Sequence, residues 1–131
     1  MSQGEPPRTH RQVATAFVHR ISGLPLHINE DHIVEDLLAL QMALPDVWSF
    51  EVALERVCEE LATLALRPTG TPLRGRLGGW LKRRFSSGPG DAQAVMRLVF
   101  RKHPDGVELL AFGDRFRPRD FYDHAKARLR P

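Results

Sequence analysis

The chain has one cysteine, Cys58, set inside an apolar helical pattern, so no internal disulfide can form. A zinc site would then have to rest on histidines. His10, His19, His27, His32, His103 and His124 show neither an HxxxH spacing nor a Cys/His pairing, and no metal site is expected. No run of about 18 apolar residues is present, which leaves nothing to span a membrane. The N-terminus also lacks the basic-then-apolar order of a secretory signal, so a cytoplasmic protein is expected. The C-terminal half holds no pair of acidic residues arranged to bind a metal ion. Its Asp91, Asp105, Asp114, Asp120 and Asp123 read as turn or helix-start residues, and no cofactor is expected. No internal repeat is visible.

What is present is a charge split. Residues 1–70 carry five arginines against ten acidic residues, a net of −5, whereas residues 71–131 carry fourteen Lys/Arg against six acidic residues, a net of +8. The formal total of +3 hides this. With 131 residues, 42% apolar and 27% charged, one ordinary core is expected. A basic half with aromatics among its arginines then suits a domain with one face turned to a polyanion.

Residues 1–11, with two prolines and no periodicity, read as a flexible N-terminal tail, and residues 12–131 as a single domain. The stretch VATAFVHRI, residues 13–21, is β-branched and aromatic, which predicts a strand, followed by a loop through Gly23 and Pro25. Asn29 caps a predicted helix whose first turn holds Glu30 and Asp31, where the helix dipole favours negative charge. Ile33, Val34, Leu37, Leu38, Leu40, Met42 and Leu44 give that helix a broad buried stripe up to Pro45. Asp46 caps a second helix, with Phe50, Leu54, Val57, Cys58, Leu61 and Leu64 at spacings of three and four before Pro68. The two predict an antiparallel hairpin whose outer carboxylates, Glu35, Asp36, Glu51, Glu55, Glu59 and Glu60, face solvent.

After Gly70 the periodicity changes. WLKRRFSS (80–87), AQAVMRLVFR (92–101) and VELLAFG (107–113) read as strands, joined by turn residues at 88–91 and 103–106. Pro118 then precedes a last helix, RDFYDHAKARL. The expected fold class is α+β: a strand, an antiparallel helix hairpin, a three-stranded antiparallel meander and a C-terminal helix, with the hairpin on one sheet face and the other face open.

Adjacent strands about 4.8 Å apart can bring basic side chains together on one face. Lys82, Arg83, Arg84, Arg97, Arg101, Arg115, Arg117 and Arg119 are the candidates, interleaved with Trp80, Phe85, Phe116, Phe121 and the only tyrosine, Tyr122; His124 lies close by. Such a face suits single-stranded RNA, whose bases stack on aromatic rings while guanidinium groups follow the phosphates. Metal-independent RNA scission uses the ribose 2′-hydroxyl as nucleophile. It needs a base for that proton, cationic donors for the developing phosphorane charge and an acid for the leaving oxygen, and Lys, Arg, Tyr and His can supply all three.

The string LRGRLGGWLKRRFSS (73–87), then MRLVFR (96–101), LLAFGDR (109–115) and FYDHAKARL (121–129), resembles the C-terminal portion of the RelE/ParE toxin superfamily. That pattern runs L-x-G, an aromatic, a basic strand, a YRLVY-like strand, an apolar strand ending in G-x-R and a helix opened by tyrosine. With the preceding helices it covers roughly residues 12–130. The resemblance implies a RelE-like toxin of a type II toxin-antitoxin pair, a ribosome-associated mRNA endoribonuclease whose partners are a cognate antitoxin and mRNA. It also implies roles. Arg97 would contact the scissile phosphate, Arg115 would stabilise the transition state, and Tyr122 would stack on the base or take part in proton transfer. Lys82 and Arg83 fall where the family places its basic strand residues, one of which is the proposed base, with Lys82 taken for that role. From the basic face itself, Arg83, Arg84, Arg101, Arg117, Arg119, Trp80 and His124 are expected to line the nucleic-acid contact. The antitoxin would cover the basic face or displace the last helix through a stripe of Phe121, Ala125 and Leu129. The ParE-like branch, whose members inhibit DNA gyrase without nuclease activity, is the alternative, together with an inactive nucleic-acid-binding relative.

Overall fold

A capping box starts the first helix: the Thr9 hydroxyl accepts from the Gln12 amide at 3.1 Å, and the Gln12 side chain accepts from the Thr9 amide at 2.9 Å. The computed structural model describes residues 8–86, 95–114 and 120–129. Helix α1 spans His10–Ile21 and overturns two expectations, a strand over 13–21 and a tail reaching residue 11. Residues 1–7 of that tail lie outside the described residues. Tertiary packing overrides β propensity here. Val13, Phe17 and Ile21, four apart, form one buried helical stripe. A strand would have added Thr15 and His19 to the same face, and both are exposed.

The remaining elements are β1 (Leu26–His27), α2 (Glu30–Ala43), α3 (Val47–Leu66), β2 (Thr71–Pro72), a 3₁₀ turn (Gly75–Leu77), β3 (Leu81–Ser86), β4 (Val95–His103), β5 (Gly106–Asp114) and α4 (Phe121–Ala127). Asn29 and Asp46 cap α2 and α3 as expected, each side chain accepting from the amide three residues on. Asp120 caps α4 in the same way, accepting from the Tyr122 and Asp123 amides.

The class is α+β, and the described strands form one mixed sheet ordered β1-β5-β4-β3-β2. Its centre is the expected antiparallel meander, with Arg84 opposite Arg97 and Leu98 opposite Phe112. The two-residue strands extend both edges, β1 parallel to β5 and β2 antiparallel to β3. They were not anticipated, because two residues carry no periodicity to read.

Helices α1, α2 and α3 cover one sheet face. Their core joins Phe17, Leu37, Leu54, Val57 and Leu61 to Phe85, Met96, Leu98, Phe100, Leu109 and Phe112 of the strands. The close partner of α3 is α1, while α2 rests on β5, so α2 and α3 are not the tight hairpin that their loop suggested. Arg8 and Arg20 of the α1 segment ion-pair with Glu51 and Glu55 of α3, which uses part of the acidic surplus within the fold. Burial pushes the Cys58 thiol up to about 11, which makes it a small apolar filler.

Three further expectations change. The α2 stripe is narrow: Ile33, Leu37 and Leu40 are buried, but Val34 and Leu38 are exposed and Met42 is 81% exposed. Asp36 and Glu60 are not solvated; Asp36 is only 3% exposed and Glu60 is held between Arg56 and Arg83. The second sheet face is not open. A smaller core of Leu77, Trp80, Val99, Leu110, Ala111, Phe121 and Ala125 seats α4 on it. The stripe offered to an antitoxin is therefore spent inside, since Phe121 and Ala125 are buried.

Candidate nucleic-acid interface

Strand alternation divides the basic run of β3 between the two faces. Arg83 turns toward the helices, where its guanidinium pairs with Glu60 of α3 and donates to the Arg67 carbonyl at 3.1 Å. Lys82 and Arg84 project to the α4 face. Arg84, exposed, stands directly opposite Arg97 of β4.

Tyr122, the second residue of α4, is the meeting point. The Lys82 ammonium lies 5.8 Å from its ring centroid and the Arg97 guanidinium carbon 5.9 Å, both within cation–π range. The ring leans edge-on against Phe121 at 5.5 Å, which is itself buried on the sheet and so fixes where α4 begins. Arg97 is 5% exposed. The Tyr122 hydroxyl is buried and meets no hydrogen-bond partner among the described residues, a polar group normally satisfied when it leaves water. Three elements thus deliver a lysine, an arginine and a tyrosine to one place, with Arg84 beside them.

The other predicted residues are placed differently. Arg101 stacks over Trp80 at 4.4 Å and ion-pairs with Glu108 at 2.6 Å, and Trp80 beneath it is buried. His124 faces inward, 2.8 Å from Arg128 and 3.4 Å from Asp36. Arg115, Arg117 and Arg119 lie outside the described residues.

Two further groupings lie away from this cluster. Asp36 and Arg128, 92 positions apart, form a buried pair, because α2 and the end of α4 both reach the stretch of β5 beyond its pairing with β1. Burial and the Arg128 charge together hold the neighbouring His32 below the ordinary imidazole pKa. His27, His103 and Asp105 meet where β1 joins the β4–β5 turn. No local spacing signals either grouping, since both depend on how strands and helices pair. A large hollow between α1 and α2 mixes apolar side chains such as Val18, Val34 and Leu38 with polar ones such as Thr15, His19 and Gln41, and lies on the helix side of the molecule.

Chemically, the Lys82–Arg97–Tyr122 group offers positive charge, a proton-transfer group and an aromatic ring within a few ångströms. A phosphodiester with an adjacent base carries the complementary features. Among known protein families, curated proteins and solved structures, none matches this chain.

Proposed function

We propose that the protein acts on RNA through Lys82, Arg97 and Tyr122, as a RelE-like toxin of a type II toxin-antitoxin pair that cleaves mRNA on the ribosome. The observation that carries this reading is the convergence of those three residues, from β3, β4 and α4, around the Tyr122 ring. Arg84 adds support. It stands directly opposite Arg97 on the neighbouring strand and is exposed, which puts a further positive charge on the same face.

In the proposed step Lys82, in its neutral form, takes the proton from the ribose 2′-hydroxyl. The 2′-oxygen attacks phosphorus and the bond to the 5′-oxygen breaks. Arg97 stabilises the charge that grows on the non-bridging oxygens, and a proton is returned to the leaving 5′-oxygen. Tyr122 stacks on the base or donates that proton. The products are a 2′,3′-cyclic phosphate and a 5′-hydroxyl. An antitoxin would silence the protein by covering the same basic face.

The burial of Arg97 and of the Tyr122 hydroxyl favours a second reading, a relative without nuclease activity that binds nucleic acid or, in the ParE manner, inhibits gyrase. The deciding experiment incubates purified protein with programmed ribosomes in chelator, alongside a gyrase supercoiling assay. Wild-type cleavage with cyclic-phosphate ends, lost in Arg97→Ala, supports the first reading. Intact mRNA with inhibited supercoiling supports the second.

A further inference from the structure

His27 and His103 are 76 positions apart and belong to different strands, yet their rings stack with centroids 3.8 Å apart and planes inclined by 32°. Two backbone features force this meeting. Parallel pairing of β1 with β5 sets Leu26 against Val107 and His27 against Glu108, and the β4–β5 turn sets His103 against Gly106. The pairing depends on Gly106, whose φ is +148° and whose absent side chain leaves room for the Pro25 carbonyl; a Cβ there would stand 2.1 Å from that oxygen. The Val107 amide seals the contact by donating to the same carbonyl at 3.1 Å.

Asp105, in the turn, completes the group: a ligand atom from each of His27, His103 and Asp105 lies within 4.8 Å of the other two. The geometry points to a binding site for one divalent transition ion of the zinc class, held by two imidazole nitrogens and one carboxylate oxygen, with water in the fourth position. Nitrogen donors select this class, because magnesium and calcium prefer all-oxygen shells. Metal–ligand bonds of about 2.0–2.2 Å require the three donors to draw closer together than in the present arrangement. His27 and Asp105 are exposed and His103 is half-buried, so ordinary side-chain rotation can do this. One weak contact is given up if the metal takes Nδ1 of His103, since the Asp105 amide donates to that nitrogen at 3.2 Å. The nearby Arg101 is neutralised by Glu108 and does not oppose a cation.

The ion would pin β1, and with it the connection between α1 and α2, to the β4–β5 turn. His103 lies six residues along β4 from Arg97, roughly 20 Å at strand rise, so this role is separate from the proposed RNA chemistry.

Tag-free protein stripped with EDTA and titrated with Zn²⁺ by calorimetry, and with Co²⁺ by visible absorption, tests the site. The expected result is one ion per chain, tetrahedral cobalt bands and a raised melting temperature. His27→Ala and His103→Ala should each weaken binding by about 100-fold, Asp105→Asn by at least about tenfold, and His19→Ala on α1 not at all. Circular dichroism of the metal-free variants establishes that the fold is kept. Absence of zinc binding, or binding that survives both histidine substitutions, would overturn the assignment and leave the rings as a simple stacked pair.

Discussion

Asp36 and Arg128 together finish the stretch of β5 beyond its pairing with β1, which no described strand covers. The Asp36 carboxylate accepts from the Phe112 amide at 3.0 Å, the Arg128 guanidinium donates to the Leu110 carbonyl at 2.9 Å, and the two ions meet at 2.6 Å. An ion pair from α2 and the end of α4 thus stands where a neighbouring strand would have satisfied the backbone. Both side chains are nearly inaccessible, and Glu35 and the His32 carbonyl bind the outer guanidinium nitrogen.

Removing one member leaves the other charge buried and a backbone group unsatisfied. Arg128→Met is expected to destabilise the fold by about 3–5 kcal/mol, measured by urea unfolding. Asp36→Asn, which keeps an acceptor for the Phe112 amide, should cost less. Equal losses in the two variants would show that the charge pair, which both break, dominates over the edge bond, which only Arg128→Met removes.

Arg83 and Arg84 are neighbours with opposite assignments. Arg84→Ala should weaken RNA binding and reduce the slope of log affinity against log salt by about one, with the melting temperature unchanged. Arg83→Ala should leave that slope alone and cost about 1–2 kcal/mol of stability, because Glu60 loses its closest partner. Filter binding across a salt series, together with thermal melts, checks both. Reversed behaviour would mean that the register of β3 is off by one residue.

Tyr122→Phe removes a buried hydroxyl that has no hydrogen-bond partner among the described residues, so stability should hold or rise slightly. If that hydroxyl moves a proton in the proposed cleavage, the single-turnover rate should fall by about 10²–10⁴-fold. An unchanged rate with unchanged stability would confine Tyr122 to stacking.

Cys58 titrates near 9 when unperturbed and is pushed up to about 11 by burial. Its folded pKa lies above its unfolded one, so its contribution to stability is complete below about pH 9 and lost as pH rises through about 11. Urea midpoints taken from pH 8 to 11 should fall less steeply in Cys58→Ala than in the wild type. Native protein should also react slowly with thiol reagents near neutral pH.

Most short-range signals were legible. Asn29, Asp46 and Asp120 each satisfy amides within three residues of themselves, so the starts of α2, α3 and α4 could be read without knowing the rest of the chain. The meander was legible because its strands are apolar runs bounded by turn residues and its β4–β5 turn is short. The α1 segment was not, since Val13, Phe17 and Ile21 suit a strand face as well as a helix stripe; the Thr9–Gln12 capping box was the signal that could have decided it. Of the candidate site, Lys82, Arg97 and Tyr122 were each chosen from the sequence, but Arg83 could not be separated from Lys82.

By itself the sequence determined which segments form the capped helices and the central strands, and that positive charge gathers in the C-terminal half, because those properties belong to residues a few positions apart. Only the tertiary structure decided that Arg83 faces the helices while Lys82 meets Tyr122, that Asp36 is buried with Arg128, and that His27 touches His103. Each of these rests on strand register, helix docking or the close approach of Gly106 to Pro25. Such contacts are set by how the whole core packs, and no local pattern in the chain encodes them.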